Sequence, residues 1–355
     1  MADAAQAHPA RRLLLPGLFV LALFAAVWLR AGDDARETRF GGGVMGTSWS
    51  AVVVADEGLD GERMLTAIRG ALEGVDQAMS TYRPDSELMR LNRHPVGEVM
   101  ALSADLRRVL AKAAEVSAAS GGAFDATVGP LVEAWGFGAG AAAAAPTDEA
   151  LARLKATVGW RGLTLSEAGA TRSRQGLRLD LSAIAKGFGA DAAAAALEAV
   201  GVQRYLVEVG GEVRARGLNR QGKPWQIGVE RPDSATREAI AVVGLTSGGM
   251  ATSGDYRSYR EVDGRRVSHT IDPRTARPID HGLASVTVLA DDCMTADAWA
   301  TALSVLGPDE GLARAEAEGI AAYLLVRAGE GFEVRQTSHF AARDANGRRG
   351  AEEHE

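Results

Sequence analysis

The stretch RYLVEVGGEVRARG, residues 204–217, indicates the fold class of this chain, because two short strand patterns flank a glycine turn. The strands are expected at 204–209 and 212–217, with Gly210 and Gly211 between them. Further strands are predicted at 47–55, 162–165, 177–181, 225–230, 239–243, 266–271, 284–290 and, as a final pair, 320–335. Short strands separated by Gly, Asn and Pro turns are typical of an antiparallel-rich sheet.

Helical patterns lie between these strands. Residues 61–79 carry apolar side chains at helical spacing, and Ser103 is expected to cap a second helix that ends near Ser120. Further helices are predicted from about Phe188 to Val200, from about Thr295 and from about Asp309. The sequence therefore predicts an α+β fold, with helices packed on one antiparallel-rich sheet.

Composition limits the classes of partner. The 355 residues are 46% hydrophobic, which is enough for a sizeable core. The formal net charge is −7 and no basic stripe is present, so a nucleic-acid partner is not expected. Cys293 is the single cysteine, which excludes an internal disulfide and a thiolate metal cluster.

The N-terminus carries a targeting signal. Arg11 and Arg12 precede an apolar run at 13–29, which is typical of a secretory signal or a signal anchor. No clear A-x-A cleavage site follows, and this favours an uncleaved anchor with the remainder of the chain exported. The predicted organisation is a membrane segment at 1–32, a catalytic domain at 33–340 and a mobile polar tail at 341–355.

A carboxylate and a hydroxyl recur at helical spacing in TADAWATALSVLG, residues 295–307. With Thr295 as the N-cap, Asp297 and Thr301 fall one turn apart on the same helix face. Two hard oxygens on one face suit Mg²⁺. The alternative is an acidic residue that favours the helix dipole, beside a threonine that only packs.

Glycines and a lysine open another predicted helix, in LDLSAIAKGFGAD at 179–191. The Gly187-x-Gly189 pattern does not follow its strand directly, which argues against a dinucleotide-binding Rossmann turn. Lys186 at a glycine-rich helix entrance predicts a phosphate site, and the alternative is a surface lysine beside a tight turn.

Aromatic residues in two loops are candidates for ring binding. Tyr82 precedes a Pro-Asp turn, and a loop aromatic of this kind either stacks on a ligand or anchors its own loop. The segment 121–138 gathers aromatic residues and glycines around Asp125, which fits either a ring-binding wall or ordinary core. His269 ends a strand pattern just before an Asp-Pro turn. Its position alone does not distinguish a catalytic histidine from a polar residue at the end of a hairpin.

Taken together and in order, these segments resemble the ApbE family, the FAD:protein FMN transferases. The matching segments are VMGTSWS (44–50), MSTYRPDSELMRLN (79–92), GAFDATVGPLVEAWGFG (122–138), LDLSAIAKGFGAD (179–191), EVGGEVRARG (208–217), ATSGDY (251–256), SHTIDPRT (268–275) and TADAWATA (295–302). The resemblance implies that FAD is cut at its pyrophosphate, that FMN is joined through its phosphate to a Thr or Ser hydroxyl of a partner protein, and that AMP leaves.

The resemblance also implies roles for individual residues. Mg²⁺ would be held by Asp297, Thr301 and the carbonyl of Ala183. FAD would be contacted by Met45, Tyr82, Ala123, Phe124, Asp125, Asp180, Lys186 and Ile271. The implied partner is an exported or membrane redox protein with a Thr or Ser flavinylation motif, and the implied location is the bacterial inner membrane with the domain facing the periplasm.

Two questions about the chemistry stay open at this level. His269 has the side chain of a general base for the incoming hydroxyl, but it equally suits a hydrogen-bond donor to phosphate. The same metal and pyrophosphate contacts would also serve a Mg²⁺-dependent FAD pyrophosphatase that yields FMN and AMP. A third reading is an exported flavin-binding protein without turnover.

The chain departs from the family pattern at two positions. Glu208 stands where family members often carry Asn, and this difference predicts an altered polar contact near the site. Ala276 stands where they often carry Gly, and this difference concerns the conformation of the turn after the strand.

Overall fold

The computed structural model describes residues 36–55, 58–138, 145–232, 238–255, 259–262 and 265–343. The predicted membrane segment at 1–32 and the tail beyond 343 lie outside these ranges. Within them, no helix is both long enough and apolar enough to cross a membrane.

The described helices and strands are mixed along the chain, with most helices in the first half. The helices are α1 (Gly61–Met79), α2 (Glu87–Arg93), α3 (Ala104–Ala119), α4 (Gly129–Ala134), α5 (Asp148–Lys155), α6 (Ala185–Ala199) and α7 (Cys293–Ala317). The strands are β1 (Arg36–Val44), β2 (Thr47–Ala55), β3 (Leu163–Ser166), β4 (Gly169–Arg172), β5 (Tyr205–Val209), β6 (Glu212–Arg216), β7 (Trp225–Glu230), β8 (Ala239–Leu245), β9 (Ser247–Gly254), β10 (Tyr259–Val262), β11 (Arg265–Ser268), β12 (Ile271–Asp272), β13 (Arg277–Pro278), β14 (Leu283–Ala290), β15 (Ala321–Ala328) and β16 (Gly331–Gln336).

One eight-stranded sheet organises the molecule, in the order β1-β2-β5-β6-β9-β14-β15-β16. Every neighbouring pair in it is antiparallel. The hairpin predicted from residues 204–217 is confirmed: Val209 pairs with Glu212 across Gly210 and Gly211, which both have positive φ. A two-residue turn with this backbone matches the twist of paired strands, and glycine adopts it without strain.

Different elements pack on the two faces of the sheet. Helices α1, α6 and α7 pack on one face, where Ile68, Leu197 and Leu303 are fully buried. The β7-β8 hairpin packs on the other face through Trp225 and Val243. Because helices and a hairpin enclose an antiparallel sheet, the predicted α+β class is confirmed.

Several predicted strands differ from those observed. Residues 177–181 do not form a strand and contribute one isolated bridge, from Arg178 to Val128. Strand β9 was not predicted, because glycines weaken the β pattern. The reason for glycine there is steric, since a Cβ on Gly249 would lie 2.4 Å from Cys293 Cα at the start of α7.

The two helices that carry candidate residues begin earlier than predicted. Helix α6 starts at Ala185, so Lys186 lies in its first turn. Helix α7 is capped by Asp292, which accepts a hydrogen bond from the backbone N–H of Thr295 at 2.7 Å, so Thr295 is not the N-cap. The separate helix predicted from Asp309 continues α7 after a break at Gly307, where φ is 81°.

The predicted strand at 266–271 is interrupted. β11 ends at Ser268 and β12 begins at Ile271, which leaves His269 in the two-residue gap between them. His269 therefore lies beside two short hairpins, β10-β11 and β12-β13, and outside the main sheet.

Candidate active site

Helices α6 and α7 meet at a close contact between Gly187 and Asp297. A Cβ on Gly187 would lie 2.4 Å from the Cys293 carbonyl oxygen and 2.7 Å from Asp297 Cβ. The backbone N–H of Gly187 donates to Asp297 Oδ2 at 2.9 Å, and the carboxylate is buried. Glycine is required here because any side chain would push the two helices apart.

The predicted metal ligands lie on α7 and immediately before α6, the two helices that make this contact. Asp297 and Thr301 are one turn apart on α7, as predicted from their spacing. In a continuous helix the Gly187 N–H would donate to the carbonyl of Ala183; here it donates to Asp297. The Ala183 carbonyl and the Asp297 carboxylate are thereby brought to the same end of α6.

This set of donors fits Mg²⁺. A carboxylate, a hydroxyl and a main-chain carbonyl are hard oxygen ligands, and Mg²⁺ usually completes its shell with water and substrate phosphate. Burial raises the pKa of Asp297, so a bound cation would offset the cost of its buried charge. The described residues contain no cluster of three or more His, Cys, Asp and Glu side chains arranged for a metal.

Asp191 fixes the start of α7 from the neighbouring helix. Its two carboxylate oxygens accept hydrogen bonds from the backbone N–H groups of Cys293 and Met294, both at 2.9 Å. Burial raises the pKa of Asp191 to about 6. The sequence contained the residue but no signal of this role, because the helix start that it stabilises is 102 residues away.

Lys186 forms an ion pair with Glu212 at the start of β6. Burial alone would lower the pKa of Lys186, but the charges of Glu212 and Asp297 outweigh it and raise that pKa above its ordinary value. Burial raises the pKa of Glu212 to about 7, although the lysine acts in the opposite direction. Lys186 therefore remains protonated beside two buried carboxylates, and sequence reasoning missed Glu212.

Met45 lies at the tip of the β1-β2 hairpin with a positive φ of 48°, which is unusual for a residue with a side chain. Gly46 follows it with a φ of 71°. The Met45 side chain packs over α6, since a Cβ on Gly189 would lie 2.9 Å from Met45 Cε. A two-residue hairpin turn between Val44 and Thr47 needs a positive φ at both central residues, so the turn itself sets the backbone of Met45.

Tyr82 is exposed over 68% of its surface, so it does not anchor its own loop. The loop is held by Ser86 instead, which caps α2 and whose hydroxyl donates to the Ser80 carbonyl at 2.7 Å. A further anchor is buried Asn92, whose side chain exchanges hydrogen bonds of 2.9 and 2.7 Å with the backbone of Leu179. Asn92 ties the Tyr82 segment to the strand-like stretch that leads to Asp180.

The Asp125 side chain is engaged by Thr127 in its own loop and by Trp160 from a distant turn. It accepts hydrogen bonds from the backbone N–H and hydroxyl of Thr127, at 2.8 and 2.6 Å, and from the backbone N–H of Trp160, at 2.8 Å. Ala123 and Phe124 beside it are buried. A ligand would therefore meet this segment through its main chain, while the carboxylate keeps the loop in shape.

Asp180 connects this loop to the start of α6. Its backbone N–H donates to the Ala126 carbonyl at 2.8 Å. Its carboxylate accepts from the Ser182 N–H at 2.8 Å, which closes a turn in front of Ala183. Asp180 thus lies between the ring-binding candidates of 122–138 and the candidate metal ligands.

His269 packs against Phe137 with the ring centroids 6.3 Å apart in an edge-to-face arrangement. Ile271 is buried with Trp135, and the Trp135 indole N–H donates to the Ala276 carbonyl at 3.0 Å. The 122–138 segment therefore touches the Asp180 turn near its start and the His269 region near its end.

The two departures from the family pattern have visible local effects. Ala276 adopts a left-handed φ of 63°, a conformation that glycine adopts freely. Glu208 accepts hydrogen bonds from the Ser50 hydroxyl at 3.2 Å and from the Gly211 N–H at 2.6 Å. Glu208 thus stabilises the β5-β6 turn from which Glu212 emerges.

Comparisons with known proteins identify relatives of this chain over most of its length. The model of the ApbE family matches residues 45–324. The FAD:protein FMN transferase of Vibrio cholerae is 42% identical over 324 residues, covering 90% of this chain and 97% of that protein. The FAD:protein FMN transferase of Haemophilus influenzae is 41% identical over 336 residues, covering 92% and 97% respectively.

Solved structures extend the likeness to three dimensions. The flavin transferase ApbE from Vibrio cholerae matches with a TM-score of 0.81 at 41% identity, covering 87% of this chain and 99% of that one. The apo flavinyl transferase ApbE of Pseudomonas stutzeri matches with a TM-score of 0.80 at 38% identity, covering 87% and 97% respectively. The family match includes every predicted site residue, from Met45 to Thr301.

Proposed function

Because this chain belongs to the ApbE family, we propose that it transfers FMN from FAD to a Thr or Ser hydroxyl of a partner protein, with Mg²⁺ as its cofactor. The acceptor oxygen forms a bond to the phosphorus on the FMN side of the pyrophosphate. The bond from that phosphorus to the bridging oxygen breaks, and AMP leaves with the electron pair. The observation that carries the proposal is the contact of α6 with α7, where Lys186 and buried Asp297 lie together.

The residues at this contact would bind and orient the pyrophosphate. Asp297, Thr301 and the Ala183 carbonyl would hold Mg²⁺, which when bound neutralises developing charge on the phosphate oxygens. Lys186 adds a second positive group, and its ammonium donates to phosphate oxygens at the first turn of α6. Both features lower the energy of a transition state that carries more charge on these oxygens than the bound substrate does.

The flavin and adenine parts of FAD would contact the segments around this centre. Exposed Tyr82 would stack on a ring of the dinucleotide, and Met45 and Ile271 would supply apolar contacts. Ala123, Phe124 and Asp125 would present their main chain, and Asp180 would present its polar turn.

His269 would move the proton of the acceptor hydroxyl. Its imidazole accepts that proton as the oxygen attacks, which is the role of a general base. The edge-to-face contact with Phe137 limits the orientations of the ring and keeps it at the end of β11.

The proposed partner is an exported or membrane redox protein with a Thr or Ser flavinylation motif. We place residues 1–32 as the membrane segment, 33–340 as the catalytic domain facing the periplasm and 341–355 as a polar tail, on the support of the N-terminal arginines and the apolar run. Protease treatment of spheroplasts tests this topology, since the domain should be digested without lysis of the inner membrane.

Incubation of the full chain with FAD, Mg²⁺ and an acceptor that carries a motif threonine tests the transferase. We expect flavin fluorescence on the acceptor band in a denaturing gel, and none on an acceptor with that Thr replaced by Ala or after EDTA treatment. Release of FMN and AMP without labelling would instead identify an FAD pyrophosphatase. Retention of FAD without any release would identify a flavin carrier.

A further inference from the structure

The Lys186-Glu212 pair is asymmetric in its exposure to solvent. The Lys186 side chain is 32% exposed, whereas the Glu212 side chain is 4% exposed. Glu212 therefore lies behind the lysine, where it cannot reach a ligand directly.

The β5-β6 turn is built so that the lysine can reach this carboxylate. A Cβ on Gly210 would lie 3.0 Å from Lys186 Cδ and 2.9 Å from Thr47 Cγ2, so glycine leaves the groove in which the lysine stem lies. Glu212 follows the turn as the first residue of β6. The backbone N–H of Thr252 on β9 also points to the second carboxylate oxygen, at 3.4 Å.

Burial of the Glu212 carboxylate lowers the stability of the fold, which suggests that the residue is kept for a function. Removing a charged group from water is costly, and one ion pair offsets that cost only in part. A well-packed apolar residue at the start of β6 would serve the fold as well.

We propose that Glu212 is a positioning residue for the transfer reaction, which holds the Lys186 ammonium toward the pyrophosphate and away from Asp297. This inference rests on the proposed contact between Lys186 and the pyrophosphate. Asp297 is the other carboxylate close enough to act on the lysine charge. Without Glu212, the ammonium would turn to Asp297 and compete with the cation for that carboxylate.

A double-mutant cycle tests the proposal. In the full chain, Glu212→Gln should lower kcat/KM for FAD about tenfold and Lys186→Met about 100-fold, because an orienting group contributes less than the group that it orients. The double variant should be within about twofold of Lys186→Met alone, since Glu212 acts only through the lysine. Glu212→Gln should also raise the Mg²⁺ concentration that gives half-maximal rate, and Lys186→Met should abolish that shift.

The control is a second ion pair between the same two elements. Glu198 on α6 pairs with Arg216 on β6 at 2.9 Å, and both are partly exposed. Glu198→Gln should leave kcat/KM and the Mg²⁺ dependence unchanged, because this pair serves only the contact of helix and sheet. Melting temperatures of all variants separate losses of stability from losses of rate.

Different results would contradict the positioning role of Glu212 and the pyrophosphate contact of Lys186. Full activity of Glu212→Gln, or losses that multiply in the double variant, overturns the positioning role. Full activity of Lys186→Met overturns the proposed pyrophosphate contact itself. If Glu212→Gln does not fold, the same cycle with Glu212→Asp decides, with non-additive losses again expected and additive losses contradicting the proposal.

Discussion

The contact of α6 with α7 and the region around His269 are built in opposite ways. At the helix contact, Gly187, Asp297 and Lys186 are held by packed backbone, hydrogen bonds and buried charge. Around His269 the chain is a series of turns and strands of two to four residues. It is held by hydrogen bonds of local side chains, such as Asp272 with Arg274 and the Trp135 indole with Ala276, and by contacts between rings.

The difference matches the demands of the two halves of the proposed reaction. A pyrophosphate and a cation need charged groups at fixed distances, which a helix contact inside the core provides. A protein acceptor must bring its hydroxyl in from outside, and half-buried His269, in the gap between two short hairpins, is the residue proposed to meet it. We therefore expect substitutions at the helix contact to act on both folding and cation binding, and substitution of His269 itself to act on transfer alone.

The largest effect is expected from Asp297→Ala. Loss of the single carboxylate among the proposed metal ligands should lower the transfer rate by about 1,000-fold, or about 4 kcal/mol in the activation barrier. The measurement is acceptor labelling across a Mg²⁺ titration. Asp309→Ala, an exposed acid later in the same helix, should leave the rate unchanged. An unchanged rate for Asp297→Ala would refute the metal assignment.

Gly187→Ala should follow, with a loss of about 3 kcal/mol in the free energy of unfolding, because the new methyl overlaps the backbone of α7. Mg²⁺ should also bind more weakly, since the Asp297 carboxylate moves with the helix. Urea unfolding and Mg²⁺ titration measure the two effects. Gly74→Ala in α1 has open space and should be stabilising by about 0.5–1 kcal/mol. Equal stability of the two variants would show that α6 and α7 can move apart to accommodate the methyl group at little cost.

His269→Ala should lower the transfer rate by about 100-fold and leave FAD affinity unchanged, because the imidazole acts on the acceptor hydroxyl. Single-turnover labelling and flavin fluorescence measure the rate and the affinity. The exposed His339 provides a matched substitution, which should leave both unchanged. A transfer rate that survives His269→Ala would remove the base and leave the hydroxyl to be activated at the metal.

Local sequence patterns predicted much of the fold but few of the contacts between residues that are far apart in sequence. Helices α1 and α3 and the β5-β6 hairpin were predicted closely, because each is encoded by its own spacing, caps or glycine turn. Strand β9 was missed because its glycines weaken the strand pattern. Gly249 is needed there because α7, which is distant in sequence, packs directly against it.

The same limit applies to the candidate site. Asp297 and Thr301 could be paired from their helical spacing. Glu212, Asp191 and Asn92 could not be found, because their partners lie 26, 102 and 87 residues away and no local pattern records such contacts. The residues proposed to touch a ligand lie in segments that resemble the family, whereas the residues that support them become visible only in three dimensions.

The smallest effect is expected at the turn after His269, from Ala276→Gly. The left-handed backbone costs about 1–2 kcal/mol for a residue with a Cβ. Glycine removes that strain but gives up a buried methyl worth about 0.8 kcal/mol. The net gain in the free energy of unfolding should therefore be below about 1 kcal/mol, measured by urea unfolding.

Ala111→Gly on the exposed side of α3 is the counterpart of Ala276→Gly and should cost about 1 kcal/mol, since glycine weakens a helix interior. Opposite signs for the two changes would show that strain dominates at the turn. Destabilisation by both would show that the Ala276 methyl, packed beside Ile271 and Trp135, contributes more than the backbone strain removes. In that case core packing holds this turn, as it holds the contact of α6 with α7, and the two regions do not differ at this position.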